Sequence, residues 1–225
     1  MRGRGQCAAA SAFSACLAVK THVYVDGFNL YYGALRGSGF EWLNLAEMCR
    51  LLLPDDDIRR IAYFTARVNG RPTDPDQPLR QQLYLRALLT IPNLNIVYGH
   101  FLTKRVSLPL AGCPPDAQRS VRVIRTEEKG SDVSLAAHLL RDGYLGLYEA
   151  AVLVTNDTDL LEPIRIVRRE LQRTVGLLHP QTHPSWMLLR HATFVKPIRK
   201  GVLAASQFPA VLHDNHGQFT KPLSW

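Results

Sequence analysis

The chain is poor in cysteine and has none of the spacings that usually signal a metal or nucleotide site. Its four cysteines, Cys7, Cys16, Cys49 and Cys113, include no Cys-x-x-Cys pair, which argues against a zinc site of the usual kind. They read as reduced thiols of a cytoplasmic protein. No apolar run reaches the roughly 18 residues of a membrane-spanning helix. No Gly-x-Gly-x-x-Gly follows a strand, and neither a phosphate-binding Gly-x-x-x-x-Gly-Lys-Ser/Thr loop nor a Gly-x-Ser-x-Gly elbow occurs, so dinucleotide, P-loop and serine-hydrolase signatures are missing. The eight histidines lack ligand spacing; His179 and His183 are four apart, but Pro180 and Pro184 interrupt the helix that would pair them. Charged residues at 20% and 14 prolines exclude a coiled coil and a wholly disordered chain.

What is present fits an α/β protein. The 225 residues are 46% hydrophobic, enough for a substantial core. Lys and Arg exceed Asp and Glu by 27 to 19, a net charge of +8 that favours polyanionic partners. Short apolar runs alternate with helical stretches. Strands are expected at His22–Val25, Ile58–Thr65, Asn95–Leu102, Ser120–Thr126, Ala151–Thr155, Thr174–Leu178 and Thr193–Val195. Helices are expected at Leu43–Leu53, Leu79–Ile91, Asp132–Leu140 with Gly143 beyond its end, Asp159–Leu171, and Trp186–His191. Pro109, Gly112, Pro114 and Pro115 mark 107–116 as an exposed loop or hairpin tip.

This alternation implies a mostly parallel central sheet with helices on both sides, in one domain over 21–196. Residues 1–20 carry Arg2 and Arg4 before an Ala- and Ser-rich stretch and run almost directly into the first strand; they read as a disordered or mis-started extension rather than a leader. The tail, 197–225, shows no periodicity and ends on Pro222-Leu223-Ser224-Trp225, where Trp225 either packs back on the domain or hangs free.

Three segments follow an apolar or β-rich run with Asp, Gly, Asn or Ser: Val23 to Leu30 around Asp26, Glu128 to Leu135 around Asp132, and Val152 to Leu160 around Asn156, Asp157 and Asp159. Two of them put carboxylates at the C-terminal ends of parallel strands, the rim where open α/β sheets bind ligands. If Asp132 opens a helix packed nearby, Asp26, Asp132, Asp157 and Asp159 converge, and such a cluster calls for a hard divalent cation, Mg²⁺ or Mn²⁺. The competing reading is local: Asp132 and Asp157 both stand where a helix N-cap or first-turn aspartate is favoured.

The segments around Asp26, Asp132 and Asp157 resemble the three signature motifs of the NYN family, close to the PIN-like nucleases, and the likeness spans 21–196. It implies a PIN-like three-layer fold and a metal-dependent nuclease acting on RNA. On that resemblance Asp26, Asp132 and Asp157 hold the metal, Asp159 adds a catalytic carboxylate, and Asn29 supports the site by hydrogen bonding, with Asn156 beside it. Lys129, next to the Asp132 motif, either contacts a phosphate or is simply solvated. Arg165, Arg168, Arg169 and Arg173 form a basic helix face, either a phosphate track or simply solvated. Tyr31 and Tyr32 are placed to stack on a base or to fill core. Proteins resembling this family also include NADH-dependent monooxygenases that hydroxylate a succinoylpyridine, compact chains with a Pro-x-x-Trp ending, so a small aromatic substrate with NADH is the second reading. A non-catalytic RNA-binding module is the third. The resemblance also allows a homodimer.

Overall fold

The computed structural model describes residues 18–111 and 120–225. The expectations for residues 1–17 and for Gly112, Cys113, Pro114 and Pro115 lie outside the described residues. Six parallel strands build the main sheet: β1 (Val19–Asp26), β2 (Asp56–Thr65), β3 (Leu94–Tyr98), β6 (Ala150–Val154), β7 (Thr174–His179) and β8 (Phe194–Pro197), in the order β3-β2-β1-β6-β7-β8. Two runs, Val23-Tyr24-Val25 and Ala151-Val152-Leu153-Val154, are completely buried, as befits central strands covered on both faces. Side-chain alternation divides them between two cores. Val23, Val25, Val152 and Val154 meet helices α2 (Leu45–Leu52) and α3 (Gln77–Leu88) on one side. Tyr24, Ala151 and Leu153 meet α4 (Ser131–Tyr144) and α5 (Leu161–Arg169) on the other. The result is the three-layer α/β architecture expected from the sequence.

The chain winds outward from β1 through β2 to β3, then returns to place β6 on the other side of β1 and winds the opposite way. The crevice above β1 and β6 is therefore the point where strand order reverses, the usual ligand position in such sheets.

Three expectations need correction. Asn95–Leu102 is not one strand: the chain leaves the sheet after Tyr98, turns at Gly99 and starts β4 (His100–Pro109). This strand pairs antiparallel with β5 (Ser120–Lys129), from His100 opposite Lys129 to Pro109 opposite Ser120, in a hairpin separate from the main sheet. Ser107 to Pro109 are strand, not loop. Gly143 lies inside α4 rather than beyond it; its lack of a side chain serves packing, since a Cβ there would meet the Tyr148 hydroxyl at 2.5 Å.

The tail forms α7 (Lys200–Ala205) and a small hairpin of β9 (Val211–Asp214) with β10 (Gly217–Thr220). These elements are too short to show a period in sequence. Trp225 sets its ring 6.2 Å from buried Trp42 and 5.9 Å from Tyr84, closing one core. No described helix is long and apolar enough to cross a membrane.

Candidate metal and substrate site

Asp26 ends β1, and its carboxylate caps the short helix α1 (Gly27–Leu30): Oδ1 accepts the Asn29 N–H at 2.9 Å. Its other oxygen, Oδ2, accepts the Thr155 hydroxyl at 3.1 Å. Thr155, fully buried just past β6, in turn accepts the Asp157 N–H at 3.1 Å. One hydroxyl thus links the ends of the two central strands and fixes Asp26 relative to Asp157. Asp157 caps the 3₁₀ turn Thr158–Leu160, accepting the Asp159 N–H at 3.0 Å.

Asp132 arrives by another route. Gly130, with φ at 98°, occupies the left-handed region and turns the chain sharply from β5 into α4. Glu128, not Asp132, satisfies the start of that helix. It accepts the Ser131 N–H at 3.1 Å and the Ser131 hydroxyl at 2.7 Å. The Asp132 carboxylate is thereby released from capping. Local capping accounts for one oxygen of Asp26 and one of Asp157 but not for Asp132.

Asp26, Asp132 and Asp157 each offer an oxygen within 4.8 Å of the others. Among the described residues none of the three forms an ion pair with Lys or Arg, although the protein is strongly basic. Burial pushes the Asp26 carboxyl up to about 6, and the nearby Asp132 and Asp157 charges add to this against the pull of the Asn29 and Thr155 donors. Asp132 is raised by its own burial and by Asp157, Glu128 and Asp159. Three carboxylates held together without a counter-charge form an all-oxygen donor set that suits Mg²⁺ or Mn²⁺.

Asn29 lines the same cavity, and its Oδ1 accepts the Asn156 N–H at 3.0 Å and the Gln181 side-chain amide at 2.7 Å. The Asn156 side chain turns the other way. It donates to the His183 carbonyl at 3.1 Å and accepts the Ser185 N–H at 2.6 Å, tethering the loop that delivers Gln181. Asn29 and Asn156 therefore act on the arrangement of the site. Asp159 is exposed on the 3₁₀ turn and is not one of the three converging carboxylates, but it lies near enough to act on Asp132.

Lys129 points along the hairpin to Glu127, 3.3 Å away, and does not line the cavity. Arg165 is also elsewhere: it pairs with Glu162 at 3.3 Å and shares a separate cleft with Arg168, Arg169, Arg190 and His191. Sequence reasoning gave no role to Thr155, Glu128 or Gln181. Thr155 and Glu128 stand inside the quoted motifs, but Gln181 is 152 residues from its partner Asn29 and carried no signal.

The carboxylates open into a cavity of about 620 Å³, walled by Phe28 and Tyr32 on one side and by Phe101, Thr103, Thr126 and Glu128 of the β4–β5 hairpin on the other. Phe28 and Phe101 meet edge to face, 5.7 Å between centroids, which joins the hairpin to the main body. Arg71 is exposed at the rim.

No family model matches the chain. It is 29% identical, over 92% of its own length and 75% of the relative's, to a protein of Pseudomonas putida named 6-hydroxy-3-succinoylpyridine 3-monooxygenase. In structure it is similar to a crystallised protein of unknown function from Vibrio parahaemolyticus. That match has a TM-score of 0.52 and 13% identity and covers 81% of this chain and 94% of the other. The second likeness supports the α/β fold; the first is to an enzyme.

Proposed function

We propose that the chain is a divalent-metal-dependent phosphodiesterase acting on RNA, with Asp26, Asp132 and Asp157 holding the cation. The observation that carries this reading is the convergence of the three carboxylates, unpaired with any described Lys or Arg, at the floor of an open cavity where strand order reverses. A bound Mg²⁺ or Mn²⁺ supplies a water acidified toward neutral pH and charge compensation at phosphorus. Thr155 and the Asn29 amide hold Asp26 in place through its two oxygens. Glu128 keeps Asp132 free of capping duty, and Asp159 adds negative charge beside it. Arg71 is the one cationic side chain among the described lining residues, suited to a phosphate at the rim. Tyr32, half exposed, offers a stacking face for a single-stranded base. Single-stranded RNA with Mg²⁺ or Mn²⁺ is expected to be cut by the wild type and left intact by Asp26→Asn and Asp157→Asn. Equal cleavage by both variants sinks the assignment.

The likeness to the P. putida enzyme favours a second reading, an NADH-dependent monooxygenase acting on a small hydroxylated pyridine. The same cavity is large enough for such a ring, and Phe28, Tyr32 and Phe101 supply aromatic walls. Loss of NADH absorbance on adding 6-hydroxy-3-succinoylpyridine, with no RNA cleavage, selects this reading over the first.

A further inference from the structure

A second cluster of like charges stands apart from the carboxylates. Ile164 and Val167 of α5 and Leu188 of the short helix α6 (Trp186–Leu189) are buried in one core, which brings the two helices together. Arg165, Arg168 and Arg169, spaced i, i+3 and i+4, share one face of α5. Arg190 and His191 follow α6 directly. Among the described residues these five alone line a cleft of about 490 Å³. Arg168 fixes its two walls to each other, donating from Nη1 to the His191 carbonyl at 2.9 Å and the Ala192 carbonyl at 3.4 Å. Arg165 Nη2 lies 3.5 Å from the His191 ring nitrogen Nε2. The acidic side chain paired here is Glu162, 3.3 Å from Arg165 and 70% exposed. Among the described residues Arg168, Arg169 and Arg190 form no ion pair.

Helix ends account for part of this. Cations are favoured in the last turn of a helix, where Arg168 and Arg169 stand in α5, and Arg190 caps the end of α6. That preference acts on each helix separately and does not ask the two ends to share a cleft. The four guanidinium groups repel one another, and the apolar contacts beneath hold them together. His191 registers the excess: partial burial and the charges of Arg165, Arg169, Arg190 and Arg168 hold its imidazole below the usual histidine range. An arginine fork matches phosphate oxygens two at a time, and several forks around one cleft suit adjacent phosphates. Trp186, 64% exposed, lies under Arg190, whose guanidinium carbon is 5.8 Å from the ring centroid, and offers an aromatic surface beside the cleft.

We propose that this cleft binds adjacent phosphates of a nucleotide ligand. Both of its walls begin near the carboxylate floor. Arg165 lies roughly 12–14 Å beyond Asp157 along the 3₁₀ turn and α5. Asn156, next to Asp157, accepts the Ser185 N–H at 2.6 Å, one residue before α6 starts. A single-stranded RNA with one phosphate at the carboxylates has the reach to lay neighbouring phosphates in the cleft, and the choice of RNA rests on the first reading given above. Under the monooxygenase reading the same forks take the diphosphate of NADH.

The test is binding in chelator, with neither metal nor turnover. Fluorescein-labelled single-stranded oligouridine is followed by anisotropy and NADH by its own fluorescence, over a range of salt concentrations. Saturable binding of the oligonucleotide identifies RNA as the source of the phosphates, and saturable binding of NADH alone identifies the dinucleotide. Arg169→Gln combined with Arg190→Gln, at two exposed positions outside every described ion pair, is expected to weaken either ligand about tenfold. For RNA the slope of log affinity against log salt should also shrink by about 0.7 per lost phosphate contact, or about 1.4 in the double variant. In the wild type, saturating ligand should raise the His191 pKa read by NMR, because phosphate charge offsets the arginines around it; a ligand held elsewhere leaves it unmoved. No saturable binding of either ligand, unchanged affinity in the double variant, or an unmoved His191 overturns the proposal. If the cleft binds RNA but RNA stays intact when Mg²⁺ or Mn²⁺ is added, only the phosphodiesterase reading fails.

Discussion

Asp26→Asn tests the metal site through stability, without reference to any substrate. In the metal-free protein Asp26 holds its proton up to about pH 6, against an ordinary value of 3.8, mainly because it is buried. Between these two values the folded chain binds more protons than the unfolded one, so stability falls as pH rises through the window and stays lower above it. The displacement corresponds to roughly 2–3 kcal/mol for this one group. Asparagine cannot ionise, yet its carbonyl oxygen can still accept the Asn29 N–H and its amide can face the Thr155 hydroxyl. In chelator at pH 8 the variant is therefore expected to melt about 4–12 °C higher than wild type, with the difference closing near pH 4. Manganese should raise the wild-type melting temperature, by an amount equivalent to about 2.7 kcal/mol at a hundredfold excess over Kd, and leave the variant nearly unmoved. Differential scanning calorimetry at the two pH values, with and without Mn²⁺, decides it. A variant that melts lower than wild type at pH 8, or that keeps the Mn²⁺ shift, refutes the account of Asp26 as a buried, unpaired metal carboxylate.

Two further changes probe the framework. Asp142, fully buried, accepts the Tyr24 hydroxyl at 3.0 Å, Arg60 at 2.9 Å and Arg141 at 2.6 Å; Arg141 is half exposed and can turn to water, so Asp142→Ala strands the buried Tyr24 hydroxyl and the partly buried Arg60 and should cost about 3 kcal/mol in urea unfolding. A loss below about 1 kcal/mol would show that these donors find other partners. Asn156→Ala removes both tethers of the loop carrying Gln181 and should cost about 1–2 kcal/mol, with faster amide exchange at Ser185; unchanged exchange there contradicts the tethering role.

The main sheet was legible in the sequence because its two central strands carry the apolar runs Val23–Val25 and Ala150–Val154, followed within two residues by Asp26 and Asn156, and burial on both faces leaves no other pattern for them. Asp26, Asp132 and Asp157 were legible because each follows such a run or opens a helix. The hairpin was only half legible. Its first strand is mostly exposed and merges in sequence with β3, so a period-2 reading runs straight across Gly99. Arg165 and Lys129 looked relevant from their nearness to the motifs along the chain. However, α5 and the hairpin turn those side chains toward Glu162 and Glu127 instead. Gln181 lies in an irregular segment, and its part in the site comes from the Asn29 side chain it meets in space, which no local spacing encodes.

The site is assembled in two mechanically distinct halves. Asp26 and Asp157 stand at the ends of β1 and β6, whose pairing runs through Val25 opposite Val154, so the backbone of the buried sheet sets their separation. The facing wall, Phe101, Thr103 and Thr126, belongs to a hairpin outside that sheet, held against the body partly by the Phe28–Phe101 contact. Side chains on the hairpin can therefore change what the cavity admits while leaving the spacing of these two carboxylates alone. Glu128 is where the halves couple, since it lines the wall and also caps the helix that presents Asp132. A fold arranged in this way can keep its carboxylate floor while the hairpin wall above it changes. On that account, likeness to a protein named as a monooxygenase and a carboxylate triad suited to a cation are compatible in one chain, and the contents of the cavity rather than the fold decide its chemistry.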